Sequence, residues 1–236
     1  MHVSSGEGLE DSGDQTSANV GAQLRWLEPL STVPSETSGP SLREHPMRVL
    51  SARVGRSEKL WSIRDAQRVR ENFDALAPVW AERASAEREA SLVDGLTRGR
   101  PGRGGTALEV GCGSGNHTQA LSDYCNEVVS VDLSLEMLRH VAVERSNLVL
   151  CDASALPIRD SSVDLVVVVN MFLFSSEYRR VLRSDGYLLF VSSLAEQTPI
   201  YLSPQDVARS LGSEFSGVYS RAGSGLWSCF HRVDSD

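Results

Sequence analysis

The sequence predicts an α/β protein built on a doubly wound, mostly parallel sheet. Three observations carry that expectation. Short β-branched runs alternate with helical stretches from residue 106 onward, a glycine-rich turn follows the first run, and an acidic residue stands at the carboxyl end of each of the next two. The expected order is a strand at 106–110, a helix at 116–123, a strand at 127–131, a helix at 134–144 and strands at 147–151 and 163–169. A helix at about 175–182, a strand at 186–193, a helix at 204–211 and strands at 215–220 and 226–232 complete it. Short connections and right-handed crossovers arrange these as a seven-stranded sheet. Gly223-Ser224-Gly225 suits a hairpin between the final two strands, which makes the last one antiparallel.

The turn is Glu109-Val110-Gly111-Cys112-Gly113-Ser114-Gly115-Asn116. Val110 and its apolar neighbours fit a core strand, while Gly111 and Gly113 allow backbone conformations closed to other residues and let a ligand approach the main chain. Asn116 or Ser114 is placed to cap the following helix. A dinucleotide fingerprint wants a glycine where Asn116 stands, and a pyrophosphate would find Glu109 a poor neighbour. An ammonium group suits Glu109 better, directly or through water.

Asp132 follows the second β-branched run 21 residues after Gly111, where one carboxylate can accept from both hydroxyls of a ribose. It could also serve the next helix as a cap, a role open to Ser134. Asp152-Ala153 closes the third run, and Ser161-Ser162-Val163-Asp164-Leu165-Val166-Val167-Val168-Val169 opens the fourth as a long buried strand. The polar stations all sit at the carboxyl ends of strands, the edge at which open α/β sheets bind ligands.

The glycine turn, Asp132, and the passage from Asp152-Ala153-Ser154-Ala155-Leu156-Pro157 into Val163-Asp164-Leu165-Val166-Val167 together resemble the Rossmann-like (class I) S-adenosylmethionine (SAM)-dependent methyltransferases. The resemblance runs over about residues 70–232. It implies SAM as cofactor, held by Glu109, Gly111, Cys112, Gly113 and Asn116 at the turn and by Asp132, Leu133 and Met137 after the second strand. Asp152 and Ala153 would meet the adenine edge, with Asn170 and Met171 beyond the fourth strand. Asn72-Phe73-Asp74-Ala75-Leu76-Ala77-Pro78-Val79-Trp80 resembles the lid helix of quinone-biosynthesis-type, small-molecule members, which makes Phe73 and Trp80 candidate contacts over the cofactor; packing onto the core is the alternative.

The chain departs from the family after the fourth strand, where Asn170–Tyr178 leads almost directly into Arg180-Val181-Leu182-Arg183. The acceptor walls are therefore expected from the N-terminal lid and from Thr198 to Leu202. Asn170 begins Asn-Met-Phe-Leu and not the Asn/Asp-Pro-Pro-Tyr of amino-group methyltransferases, and Met171, Phe172 and Phe174 suit an apolar or aromatic acceptor or, equally, a core.

The 236 residues suffice for one α/β domain with an appendage. Residues 1–45, rich in Ser, Gly, Glu, Thr and Pro, read as a disordered tail, with Leu24–Leu30 around Trp26 a candidate docking element. Residues 46–97 read as the helical lid, with Pro78 interrupting its pattern, and 98–236 as the binding domain. The formal net charge is −8, and acidic residues in the first 46 positions carry much of it, which argues against a long nucleic-acid footprint. The arginines at 98, 100 and 103 read as a solvated loop. Cys112, Cys125, Cys151 and Cys229 form no CxxC pair, which implies no structural metal and buried thiols in a reducing cytoplasm. No apolar run reaches the ~18 residues of a membrane span, and no signal peptide is legible.

The expectation is a cytoplasmic SAM-dependent methyltransferase acting on a small, apolar or aromatic acceptor, with no nucleic-acid partner. His117 and His231 are the core-domain histidines from which a base could come, and neither is assigned one. The rival readings are a SAM-fold protein without transfer activity and an NAD(P)-dependent reductase.

Overall fold

The computed structural model describes residues 22–30, 42–142 and 146–233. Its sheet has eight strands. In chain order they are β1 (Gln23–Trp26), β2 (Thr106–Val110), β3 (Glu127–Asp132), β4 (Ser146–Leu150), β5 (Val163–Val169), β6 (Leu182–Ser192), β7 (Phe215–Ala222) and β8 (Gly225–Arg232). Across the sheet they lie β1-β7-β8-β6-β5-β2-β3-β4, and β8 alone runs antiparallel to its neighbours, inserted between β6 and β7. This is the doubly wound, Rossmann-like sheet with an antiparallel last strand that the sequence predicts, enlarged by one strand.

The additional strand is β1, in a segment read above as part of a disordered tail. Gln23–Trp26 pairs in parallel with Ser216–Tyr219, and Trp26 packs edge-on against Tyr219 with ring centroids 5.0 Å apart. Its ends are tied down as well. The Ala22 amide donates to the Ala208 carbonyl, and the Ser220 hydroxyl to the Leu27 carbonyl. Four residues within a polar, acidic stretch carry too little periodicity to announce a strand. The signal was Trp26 itself.

Period-two alternation sends side chains to two cores, one on each face. Leu108, Val110, Val166, Val168, Leu188 and Phe230 pack with Val54, Val207 and Leu211 on one face. Ala107, Leu165, Val167, Leu189 and Trp227 pack with Leu92, Leu96 and Leu121 on the other. The helices that supply these partners are α1 (Pro46–Arg56), α2 (Ile63–Trp80), α3 (Ala86–Arg98), α4 (Thr118–Tyr124), α5 (Leu135–Leu138), α6 (Ser175–Val181) and α7 (Pro204–Leu211).

Several boundaries differ from expectation. Helix α2 runs through Pro78 to Trp80, although the missing Pro78 N–H deprives the Asp74 carbonyl of its usual i+4 donor. Helix α5 is four residues long and does not extend from 134 to 144. The chain leaves it so that Val141 packs where a Gly115 Cβ would sit. Strand β6 starts at Leu182, directly after the short α6, with a register shift between Val163 and Leu165 absorbing the extra residues. Among the described residues no helix is long and apolar enough to cross a membrane.

Candidate functional site

A cavity of about 580 Å³ opens at the carboxyl ends of β2, β3, β4 and β5, within the ~300–1,000 Å³ typical of small-molecule sites. Its floor is the strand edge: Gly111, Cys112, Gly113 and Asn116, then Asp132 and Leu133, Asp152 and Ala153, and Asn170 and Met171. The roof comes from the N-terminal helices through Trp61, Val69, Phe73, Leu76 and Trp80. One end is closed by His45, Pro46 and Met47 facing Gln197, Thr198, Pro199 and Ile200.

The turn is built as its glycines require. Gly111 and Gly113 have φ of 72° and 56°, and a Cβ on Gly113 would lie 2.9 Å from the Trp80 indole nitrogen. Trp80 therefore rests on bare backbone. Asn116 does not cap α4, whose first residues follow His117 with no side-chain cap. Its amide instead donates to the Trp80 carbonyl at 3.4 Å and its oxygen accepts from Ser114 at 3.1 Å, so that it joins roof to floor. Phe73 meets Trp80 edge-on at 5.4 Å, and Arg83 stacks over the indole at 4.6 Å.

Asp132 accepts from the Gly113 amide and the Ser134 amide, each at 2.8 Å, one on each carboxylate oxygen. Desolvation raises its pKa against the pull of these backbone N–H groups. Ser134, not Asp132, caps α5: its hydroxyl accepts from the Met137 amide at 3.0 Å and donates to Asp74 of the roof. Asp152 accepts from the Ser154 amide at 2.9 Å and from the Trp61 indole at 3.0 Å. Asn170 holds a left-handed conformation, φ 53°, fixed by reciprocal bonds with Ser193 at 2.8 and 2.9 Å.

Two of the sequence-derived residues lie elsewhere. Glu109 does not line the cavity. It is buried beneath the turn, where Thr118 and Ser130 each donate to it at 2.7 Å, and burial raises its pKa to about 7. An acidic residue in a strand facing hydroxyls reads in sequence much like one facing a ligand. Met137 is fully buried under the site and takes no part in the lining. Burial pushes the Cys112 thiol up, away from the thiolate form. His117 borders the cavity, has its pKa lowered by burial to about 4, and has a buried Nδ1 that finds no partner among the described residues; His231 lies on β8 against Tyr187, away from the lining.

Sequence reading missed Trp61, His45 and Met47. The Ser62–Asp65 capping box marks the residue before it as the entry to a helix, which was the available signal for Trp61. Nothing comparable marks His45, whose Nδ1 caps α1 by accepting from Met47 at 3.2 Å. The expected wall from Thr198 onward is present over Thr198–Ile200. Arg48 secures it to α1 by donating to the Glu196 and Thr198 carbonyls at 2.5 and 2.6 Å.

Residues 108–190, which include the floor, match the family model described as "Methyltransferase domain". Those residues carry the likeness to methyltransferases, and they lie in a Rossmann-like sheet. Two curated methyltransferases align with part of it. The malonyl-[acyl-carrier protein] O-methyltransferase of Hamiltonella defensa is 35% identical over 97 residues, 37% of this chain and 37% of that protein. A proposed 23S rRNA (guanine-N(1)-)-methyltransferase of Micromonospora griseorubida is 38% identical over 96 residues, 38% of this chain and 32% of that protein. The chain thus matches only about a third of the length of each. A crystal structure of a SAM-dependent methyltransferase from Thermotoga maritima superposes with a TM-score of 0.55, covering 69% of this chain and 99% of that one at 15% identity, which shows the shared fold. The matched residues supply the floor, while the roof and the closed end lie outside them.

Proposed function

We propose that this protein is a SAM-dependent methyltransferase whose acceptor is a small apolar or aromatic molecule. The observation that carries the cofactor reading is the pair of carboxylates on the lining, Asp132 and Asp152, which stand apart at the end of β3 and just beyond the end of its neighbour β4. An ionised carboxylate only accepts, and each of these, already holding two protein donors, keeps lone pairs open to the donors of a ligand. Adenosine offers donors at two places, the ribose diol and the N6 amine, and the glycine turn lies beside the first carboxylate through the Gly113–Asp132 bond. Arg83 and Arg88 on the lining supply positive charge for the methionine carboxylate.

SAM, when bound, supplies a methyl group on a sulfonium. The chain's own contribution is orientation and exclusion of water, and orientation alone is worth ~7–11 kcal/mol of barrier. Asp132 and Asp152 fix the nucleoside, and Trp80 with Phe73 covers it. Met47, Met171, Pro199 and Ile200 give the remaining space apolar walls, and among the described residues the lining holds no lysine and no carboxylate besides Asp132 and Asp152. That supports an uncharged, apolar acceptor over one recognised through ion pairs. No base is assigned.

Incubation with methyl-labelled SAM and separate pools of cell-extract small molecules, malonyl-acyl-carrier protein and total RNA tests this reading. Label is expected in organic-extractable small molecules. Label in RNA or carrier protein overturns the acceptor class, and no transfer by a protein that binds SAM makes it a binding protein.

A further inference from the structure

We infer that Trp61 is a positioning residue for cofactor recognition: its indole N–H fixes Asp152 as the acceptor for the exocyclic amine of adenine. The inference rests on the SAM reading above and adds to it a residue outside the matched residues.

Asp152 is reached by two donors. The Ser154 amide holds Oδ1 at 2.9 Å from within the same turn, and the Trp61 indole holds Oδ2 at 3.0 Å from 91 residues away. With only the local bond the carboxylate remains free to turn about its own Cβ–Cγ axis. With both, its plane is set and one lone pair on each oxygen stays available to a ligand. Trp61 is itself over-determined. It packs against Phe172 and Phe174 with ring centroids 5.3 and 5.4 Å away, and both phenylalanines are fully buried.

The segment that delivers Trp61 is anchored independently. Residues Glu58–Leu60 form a single 3₁₀ turn between α1 and α2. The Glu58 carboxylate accepts from the Ser175 hydroxyl at 2.6 Å, from the Ser176 amide at 2.8 Å and from the Ser176 hydroxyl. Glu58 thus clasps the start of α6, the helix that follows the stretch beginning with Asn170 and Met171 of the cavity floor. A strap from the N-terminal region is bound to the fourth-strand loop at one point and to the third-strand acidic residue three positions later.

Slack in this strap would leave Asp152 in the cavity but unaimed. The consequence is specific to one atom of the ligand. Losing the Trp61 N–H should weaken ligands that carry the N6 amine and spare those that lack it, whereas a purely structural contact would affect both alike.

The test compares S-adenosylhomocysteine with its analogue bearing hydrogen in place of the N6 amine. Affinities are measured calorimetrically on the full chain, on Trp61→Phe, on Asp152→Ala and on the double variant. Phenylalanine keeps the ring packing and deletes the donor, and a thermal midpoint within about 3 °C of wild type confirms the fold. Wild type is expected to favour the amine by about 10-fold, and Trp61→Phe to lose about fivefold for the amine-bearing ligand and under about twofold for the analogue. In the Asp152→Ala background Trp61→Phe should add nothing, because its effect passes through that carboxylate. Equal weakening of both ligands, additive variants, or an unchanged Trp61→Phe overturns the inference and leaves the cofactor reading standing. Failure of wild type to bind S-adenosylhomocysteine overturns both.

Discussion

The floor and the roof of the cavity are made in different ways. The floor is assembled from strand ends, where each residue's position follows from local backbone geometry: a glycine turn after β2, an acidic residue after β3, another after β4. The roof is assembled from side chains on α1, α2 and the turn between them, brought over the floor by contacts such as Trp61–Asp152, Asp74–Ser134 and Trp80–Asn116. The floor therefore depends on few residues, each with a large effect. The roof spreads its effect over several, each smaller.

The sharpest way to break this comparison is Asp132→Ala. It removes a floor carboxylate that can take both ribose hydroxyls, and S-adenosylhomocysteine affinity should fall about 10- to 100-fold, corresponding to ~1.5–3 kcal/mol for charged hydrogen bonds. Calorimetry reads it directly, and an unchanged affinity would remove Asp132 from the ribose. Trp80→Ala, on the roof, should cost about 3- to 10-fold by loss of aromatic contact over Gly113. A roof variant that exceeded the floor variant would invert the account.

That asymmetry also explains what could be read in the sequence. The glycines and aspartates of the floor are placed by their neighbours in the chain, and the expected strands at 106–110 and 163–169 coincide with β2 and β5. Glu109 shows the limit. Its sequence position is that of a ligand contact, yet its Oε2 accepts from both Thr118 and Ser130 beneath the turn, and only the direction of a side chain decides between the two. Asn116 shows the same limit, since its partner is Trp80, 36 residues earlier. β1 was illegible because its pairing partner, β7, lies about 190 residues further on and its own alternation of Gln23, Leu24, Arg25 and Trp26 is only four residues long.

Removing residues 1–30 separates stability from binding. β1 is divided from β2 by β7, β8, β6 and β5, so the site should not feel its loss. The thermal midpoint should drop by about 3–8 °C, read by calorimetric scanning, while S-adenosylhomocysteine affinity stays within about twofold. A large loss of affinity would join the edge strand to the site.

The smallest expected effects are on the pH profile of stability. The Glu109 pKa rises from 4.5 to about 7 on folding, so its contribution is fully present below about 4.5 and is lost as pH rises toward 7. The His117 pKa falls from 6.5 to about 4, so its contribution is present above about 6.5 and is lost as pH falls toward 4. The two slopes oppose each other. Denaturant midpoints measured between pH 4 and 8 should therefore tilt upward with pH in Glu109→Gln and downward in His117→Asn. The same tilt in both variants would contradict the burial of one of them.

The most direct measurement of the central claim is a calorimetric titration of the full chain with SAM, S-adenosylhomocysteine and NADPH. The account predicts micromolar binding of the first two and none of the third. Binding of NADPH, or of no nucleotide cofactor at all, would contradict it.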